Sequence, residues 1–225
     1  MNLEKGRLCL LYILSYFTGT SFLGLVNYDL KERRIIIVTG TPGVGKSAVS
    51  RALSKELKAE YIDLTKFVEK HGLIEGYDED RETFIVDEEK VCIRLQEFIE
   101  GLNAQNIVID GHYGVFTVSP EKVYRVFVLR RHPAELREVL LARGYSDRKI
   151  AENLASEILD VCLIDAIKRC GRDKVCEIDV TGKDVGCVVK KMVENLSGRR
   201  PCEIGIVDWL GELEREGRLD EFLTF

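Results

Sequence analysis

The fold turns on Ile35-Ile36-Ile37-Val38-Thr39-Gly40-Thr41-Pro42-Gly43-Val44-Gly45-Lys46-Ser47. Its first five residues are apolar or β-branched, the composition of a parallel strand buried on both faces. The next eight satisfy G-x-x-x-x-G-K-[ST] in full. A helical pattern follows over 47–57, with Ala48, Leu53 and Leu57 near helical spacing. Strand, glycine loop and helix in that order form the context that gives the motif meaning. Glycines let the chain curl so that successive N–H groups converge on phosphate oxygens, and the helix start adds its positive end. The Lys46 ammonium is expected on the β- and γ-phosphates, and the Ser47 hydroxyl on Mg²⁺. A glycine turn with a chance lysine would not carry these flanks. The loop therefore reads as the seat of a nucleoside triphosphate.

Outward from the loop, strands alternate with helices. Strand patterns fall at 60–64, 106–110, 124–129 and 175–180. Helical patterns fall at 88–101, 133–143, 147–168, 184–196 and 206–222. This alternation predicts an α/β protein in three layers, a parallel sheet covered by helices on both faces. No internal repeat or low-complexity linker interrupts it.

Two further elements bear on chemistry. Ile107-Val108-Ile109-Asp110-Gly111-His112 ends an apolar strand on a carboxylate, which suits Asp110 to the Mg²⁺ side of a phosphoryl-transfer site. His112 reads either as a group that orients water or phosphate or as a structural histidine. Arg143-Gly144-Tyr145-Ser146-Asp147-Arg148-Lys149 is a short basic turn between two helical patterns. Such a turn can clamp the charge that develops on a transferring phosphoryl group and exclude water. Arg130 and Arg131, at a strand end, are second candidates for that clamp. The guanine signature Asn-Lys-x-Asp is absent from the sequence, and 225 residues leave little room for the additions of a ring ATPase. A small-molecule kinase fits the size better.

The formal net charge of −5 argues against a general nucleic-acid binder. Seven scattered cysteines contain no Cys-x-x-Cys pair, so buried thiols in a reducing cytoplasm are expected. A structural disulfide such as Cys170–Cys176 is the alternative. Residues 8–26 are apolar over about the ~20 residues of a membrane span. Ser15, Thr18, Gly19, Thr20 and Ser21 dilute its centre. Three readings of residues 1–30 stay open: a dispensable extension from an early start codon, a helix packed on the domain, and an anchor. A membrane location is not the expectation. The nucleotide-binding domain is expected over 31–225.

Taken in order, GTPGVGKS, YIDLTKF, EGYDEDRETFIVDEEKV, VIDGHYG, FVLRR, ARGYSDRKIAENLASEIL and DVTGKD resemble the adenylate kinase isoenzyme six family in its archaeal form. The resemblance spans residues 34–196, and its most specific parts are ARGYSDRKIAENLASEI and the Asp-Gly-His. It implies an adenylate-kinase-like fold with a short lid at 142–152 and a monophosphate-binding region at 63–86. It implies transfer of the terminal phosphate of ATP to a nucleoside monophosphate, chiefly AMP, with ATP hydrolysis beside it. It also implies a part in late maturation of the small ribosomal subunit, through transient contact with that subunit's protein number eleven. Carried over by position, Gly43, Gly45, Lys46, Ser47 and Ala48 bind ATP phosphates, Asp110 and His112 form the family's Asp-x-His pair, and Arg143 contacts ATP. Lys183 falls at the adenine end.

The presumed monophosphate region departs from ordinary adenylate kinases in its acidity: Asp78, Glu79, Asp80, Glu82, Asp87, Glu88 and Glu89. These carboxylates suit AMP phosphate poorly, so Arg81 or more distant arginines must hold it. The acidic stretch reads either as a solvated face or as a surface for a basic protein partner. Two other functions compete: an ATP-switched assembly factor with incidental turnover, and a kinase of a non-nucleotide metabolite.

Overall fold

The computed structural model describes residues 33–79 and 83–223. Five strands form one parallel sheet: β1 (Arg34–Thr39), β2 (Glu60–Asp63), β5 (Asn106–Asp110), β6 (Val123–Arg130) and β7 (Val175–Asp179). Their order is β2-β5-β1-β6-β7. The central strand β1 is closed to solvent from Ile35 to Thr39 because both of its faces carry helices. On one face, Ile36, Val38, Val108, Phe127 and Leu129 meet helix α1 (Lys46–Leu57), α5 (Asp147–Ile158) and α7 (Val185–Leu196). On the other, Ile35, Ile37, Ile107, Ile109, Val126 and Val128 meet α2 (Leu64–Lys70), α3 (Glu88–Gly101) and α6 (Val161–Cys170). Side chains alternate across a strand, so neighbouring residues of β1 serve different cores. The expected three-layer α/β fold is therefore present. Truncating Leu53, fully buried on α1, to alanine is expected to cost about 2–5 kcal/mol.

Register fixes where the chemistry gathers. Val38 lies opposite Asp110 on β5 and opposite Phe127 on β6. The phosphate loop, the Asp110 carboxylate and the end of β6 thus share one edge of the sheet, where open α/β sheets bind ligands.

Several elements differ from expectation. The helix expected over 147–168 is two helices. Asp160 takes left-handed backbone (φ 58°) between them, a conformation Asp tolerates better than most residues. The break passes the chain from one face of the sheet to the other. The strand expected to end at Leu64 stops at Asp63, whose carboxylate accepts the Lys66 N–H and opens α2. A hairpin of β3 (Ile74–Asp78) and β4 (Thr83–Val86) stands apart from the main sheet. The C-terminal helical stretch divides into α8 (Trp209–Arg215) and α9 (Leu219–Phe222) around Gly217. Helix α4 (Pro133–Ala142) completes the set.

The cysteine expectation needs correction. Cys176 and Cys202 form a disulfide, with Cα atoms 4.7 Å apart, whereas Cys170 is a free buried thiol. The partner of Cys176 is thus a loop residue 26 positions on, brought beside β7 by tertiary packing. No helix among the described residues is long and apolar enough to cross a membrane. The apolar run at 8–26 lies outside the described residues.

Candidate active site

A cavity of about 530 Å³ opens at the C-terminal edge of the sheet. Its floor is the phosphate loop. Gly40 and Gly43 hold φ values of 136° and 97°, which L side chains rarely adopt. A Cβ at Gly40 would also meet the Leu129 carbonyl oxygen at 2.5 Å, and one at Gly43 would meet Leu136 at 2.8 Å. The loop is pinned below by the fully buried Val44. Lys46 Nζ donates to the carbonyls of Gly40 at 2.8 Å and Thr41 at 3.0 Å. Burial lowers the Lys46 pKa, and the nearby Asp110 and Glu157 carboxylates act the other way.

Asp110 stands at the end of β5, 4% exposed. Its carboxylate accepts the Tyr61 hydroxyl at 3.0 Å and is bonded to Ser47. Burial raises its pKa, and Ser47, Lys46 and Tyr61 oppose the rise. Among the described residues no cluster of three or more His, Cys, Asp and Glu side chains could cage a metal. One hydroxyl and one carboxylate side by side do fit Mg²⁺, which takes few protein ligands and completes its shell with phosphate oxygens and water.

His112 lines the same cavity, and its backbone carbonyl accepts the Thr39 hydroxyl at 2.9 Å. Its ring is open to solvent, yet the concave wall crowds it with protein atoms. That crowding, followed by the positive charges of Lys46 and Lys149, pulls its pKa from 6.5 down to about 4. The imidazole is neutral at neutral pH.

Arg143 caps the C-terminal end of α4 and lines the cavity together with Tyr145 and Lys149. Ser146 caps α5 by accepting the Lys149 N–H. The stretch expected as the lid is therefore a tight turn and the first turn and a half of α5.

Among the other expected residues, Gly43, Gly45, Ser47 and Ala48 line the cavity. Lys183 does not. Its ammonium pairs with Asp179. Arg131 lies 3.7 Å from where a Gly45 Cβ would be and 3.6 Å from Glu135, which accepts the Gly182 N–H. Arg130 is no clamp. It is 2% exposed and enclosed by Glu157, Glu177 and Asp160, whose charges outweigh the burial that opposes its own. Residues that sequence reasoning missed come from the α5–α6 junction: Asn153, Ser156, Cys162 and Asp165. Asn153 and Ser156 precede the kink at Asp160 on α5, and Cys162 and Asp165 follow it on α6.

A glycine loop holding a half-buried lysine, a serine–aspartate pair and an arginine lining the same cavity, at the edge of this sheet, define a P-loop nucleotide-binding protein of the kinase-like type. A family model described as AAA domain matches residues 36–160, which include the phosphate loop, Asp110 and Arg143. A protein of Methanocaldococcus jannaschii named "Putative adenylate kinase" is 37% identical, over 77% of this chain and 92% of its own length. A protein of the same name from Thermococcus onnurineus is 38% identical, over 80% and 94%. The chain belongs to this archaeal adenylate kinase family. Shikimate kinase from Acinetobacter baumannii shares the fold, with a TM-score of 0.55, 13% identity, and coverage of 77% of this chain and 98% of that one.

Proposed function

We propose that the protein is a Mg²⁺-dependent nucleoside monophosphate kinase that passes the terminal phosphate of ATP to AMP or a related monophosphate and hydrolyses ATP beside it. One observation carries the reading: Lys46, Ser47 and Asp110 converge at the mouth of the glycine loop, and Arg143 lines the same cavity. Lys46 and Arg143 stabilise charge on the transferring group. Ser47 and Asp110 hold the Mg²⁺, which when bound neutralises phosphate charge. Gly43, Gly45 and Ala48 present backbone to the phosphates, and Lys183 serves the adenine end. Neutral His112 positions a water or the acceptor hydroxyl by hydrogen bonding, without adding charge.

The acceptor enters from the 63–86 side, where Asp63, Thr65 and Thr83 line the cavity. The relatives' names support the kinase assignment, and the site supports the triphosphate half of it. The test is a coupled assay of ADP formation with ATP alone and with each monophosphate. The largest rate is expected with AMP, and no ADP in either case would sink the reading.

The hairpin favours a second reading, an ATP-switched factor in small-subunit maturation within the cytoplasm. Tyr77, Phe84 and Ile85 are about half exposed among acidic neighbours, a surface suited to a basic ribosomal protein such as number eleven of the subunit. Weakening of that complex by salt is the expected result, and affinity insensitive to ionic strength would count against it.

A further inference from the structure

A carboxylate that touches no part of the cavity holds the phosphate loop from behind. Glu157, on α5, is 2% exposed. Its Oε2 accepts the Thr41 hydroxyl at 2.6 Å, and Thr41, the second residue of the loop, is itself fully buried. Its Oε1 accepts Arg130 Nε at 2.9 Å, the Arg131 N–H at 3.1 Å and Trp209 Nε1 at 3.2 Å. Arg130 also binds Glu177, whose other oxygen takes the Gly205 and Ile206 N–H groups at 2.6 and 2.9 Å. A charge so deep survives only if paired and fully hydrogen-bonded, and this one is.

Thr41 is the useful link. Its hydroxyl is held by Glu157, and its carbonyl receives the Lys46 ammonium at 3.0 Å. A phosphate loop works when its N–H groups already point where phosphate oxygens will sit. Rotation of the Thr41 peptide would move both the curl of the loop and the resting place of Lys46.

We propose that Glu157 is a positioning residue for the phosphate loop, acting through Thr41, and that the C-terminal segment completes it through Trp209. The proposal rests on ATP binding to this loop and not on the identity of the acceptor. It is therefore read by calorimetric titration of the full chain with Mg-ATP, which needs no turnover and so is decided apart from whether AMP is phosphorylated.

Thr41→Val removes the donor at nearly constant volume and is expected to weaken ATP binding about tenfold, because a hydrogen bond to a charged group is lost. Thr41→Ser restores the donor and is expected to bind within about twofold of the parent. Trp209→Phe, at a residue outside the cavity lining, keeps an aromatic side chain but loses the indole N–H and part of the ring volume, with an expected weakening of about threefold. In turnover assays the Trp209→Phe change should appear in the KM for ATP and leave the acceptor KM in place. Thr41→Val and Trp209→Phe proteins that melt earlier yet bind ATP as tightly as the parent would reduce Glu157 to a core ion pair and overturn the assignment.

Discussion

The phosphate-loop side of the cavity rests on Thr39, Thr41 and Val44, all closed to solvent, whereas the side proposed for the acceptor includes Thr83 of a hairpin whose Tyr77, Phe84 and Ile85 are about half exposed. The first carries Lys46, Arg143 and Lys149; the second carries Asp63, Thr65 and Thr83. The contrast suits the two tasks proposed for these sides. Charge stabilisation needs donors fixed before the substrate arrives, which only a packed scaffold provides. Admission of an acceptor needs a part that can move or take a partner, and such parts are drawn from regions with little buried area.

The sharpest way to break this comparison is Lys46→Met. It should lower ADP formation by on the order of 10³-fold, with or without acceptor. Near-normal rates would remove the triphosphate side as the seat of catalysis. Next comes Arg143→Lys, which keeps a charge and loses the planar fork. A fall of about tenfold in kcat is expected, with the melting temperature unchanged because Arg143 is exposed. A change confined to the acceptor KM would move Arg143 to the other side.

Tyr77→Ser combined with Phe84→Ser tests the open side. These rings pack edge-on against each other at 5.5 Å, away from the sheet. Stability should shift by about 0.5 kcal/mol or less. ATP affinity should hold while the acceptor or protein-partner affinity falls several-fold, and a parallel loss of ATP affinity would merge the two regions.

The smallest effect concerns His112. Its folded pKa of about 4 lies below its ordinary 6.5. The unfolded chain therefore takes up this proton first as pH falls, so the stability contribution is complete above 6.5 and is lost on the way down to 4. NMR titration of the three histidines should show one near 4, rising in Lys46→Met because a neighbouring positive charge is gone. A His112 titrating near 6.5 would place its ring outside the crowded wall.

Much of this was legible in the chain. The helix at 88–101 and the strand at 106–110 carry their period and their caps in local sequence, and the loop carries its glycines. What was not legible depends on partners distant in the chain. Leu159 and Val161 continue an apolar helical pattern, so nothing local announces the turn at Asp160, beside which Arg130 lies 30 positions away. Arg130 and Arg131 look alike in sequence, yet consecutive strand-end side chains point to opposite faces, and only the first enters the buried network. The hairpin escaped because both strands are short: β3 carries Glu75, Gly76 and Asp78, a poor strand composition, and β4 is only four residues long. Cys202 sits in a loop whose path no periodicity describes.

The bond between Thr41 and Glu157 spans 116 positions, and Glu157 meets Trp209 a further 52 along. During synthesis the glycine loop emerges near the beginning, but its rear support is assembled near the end. At ordinary elongation speeds the interval is on the order of 10 seconds. For that time the nascent chain holds the whole nucleotide motif without the frame that shapes it. On the proposed role of Glu157, the loop takes its final shape only after Glu157 and then Trp209 have been made.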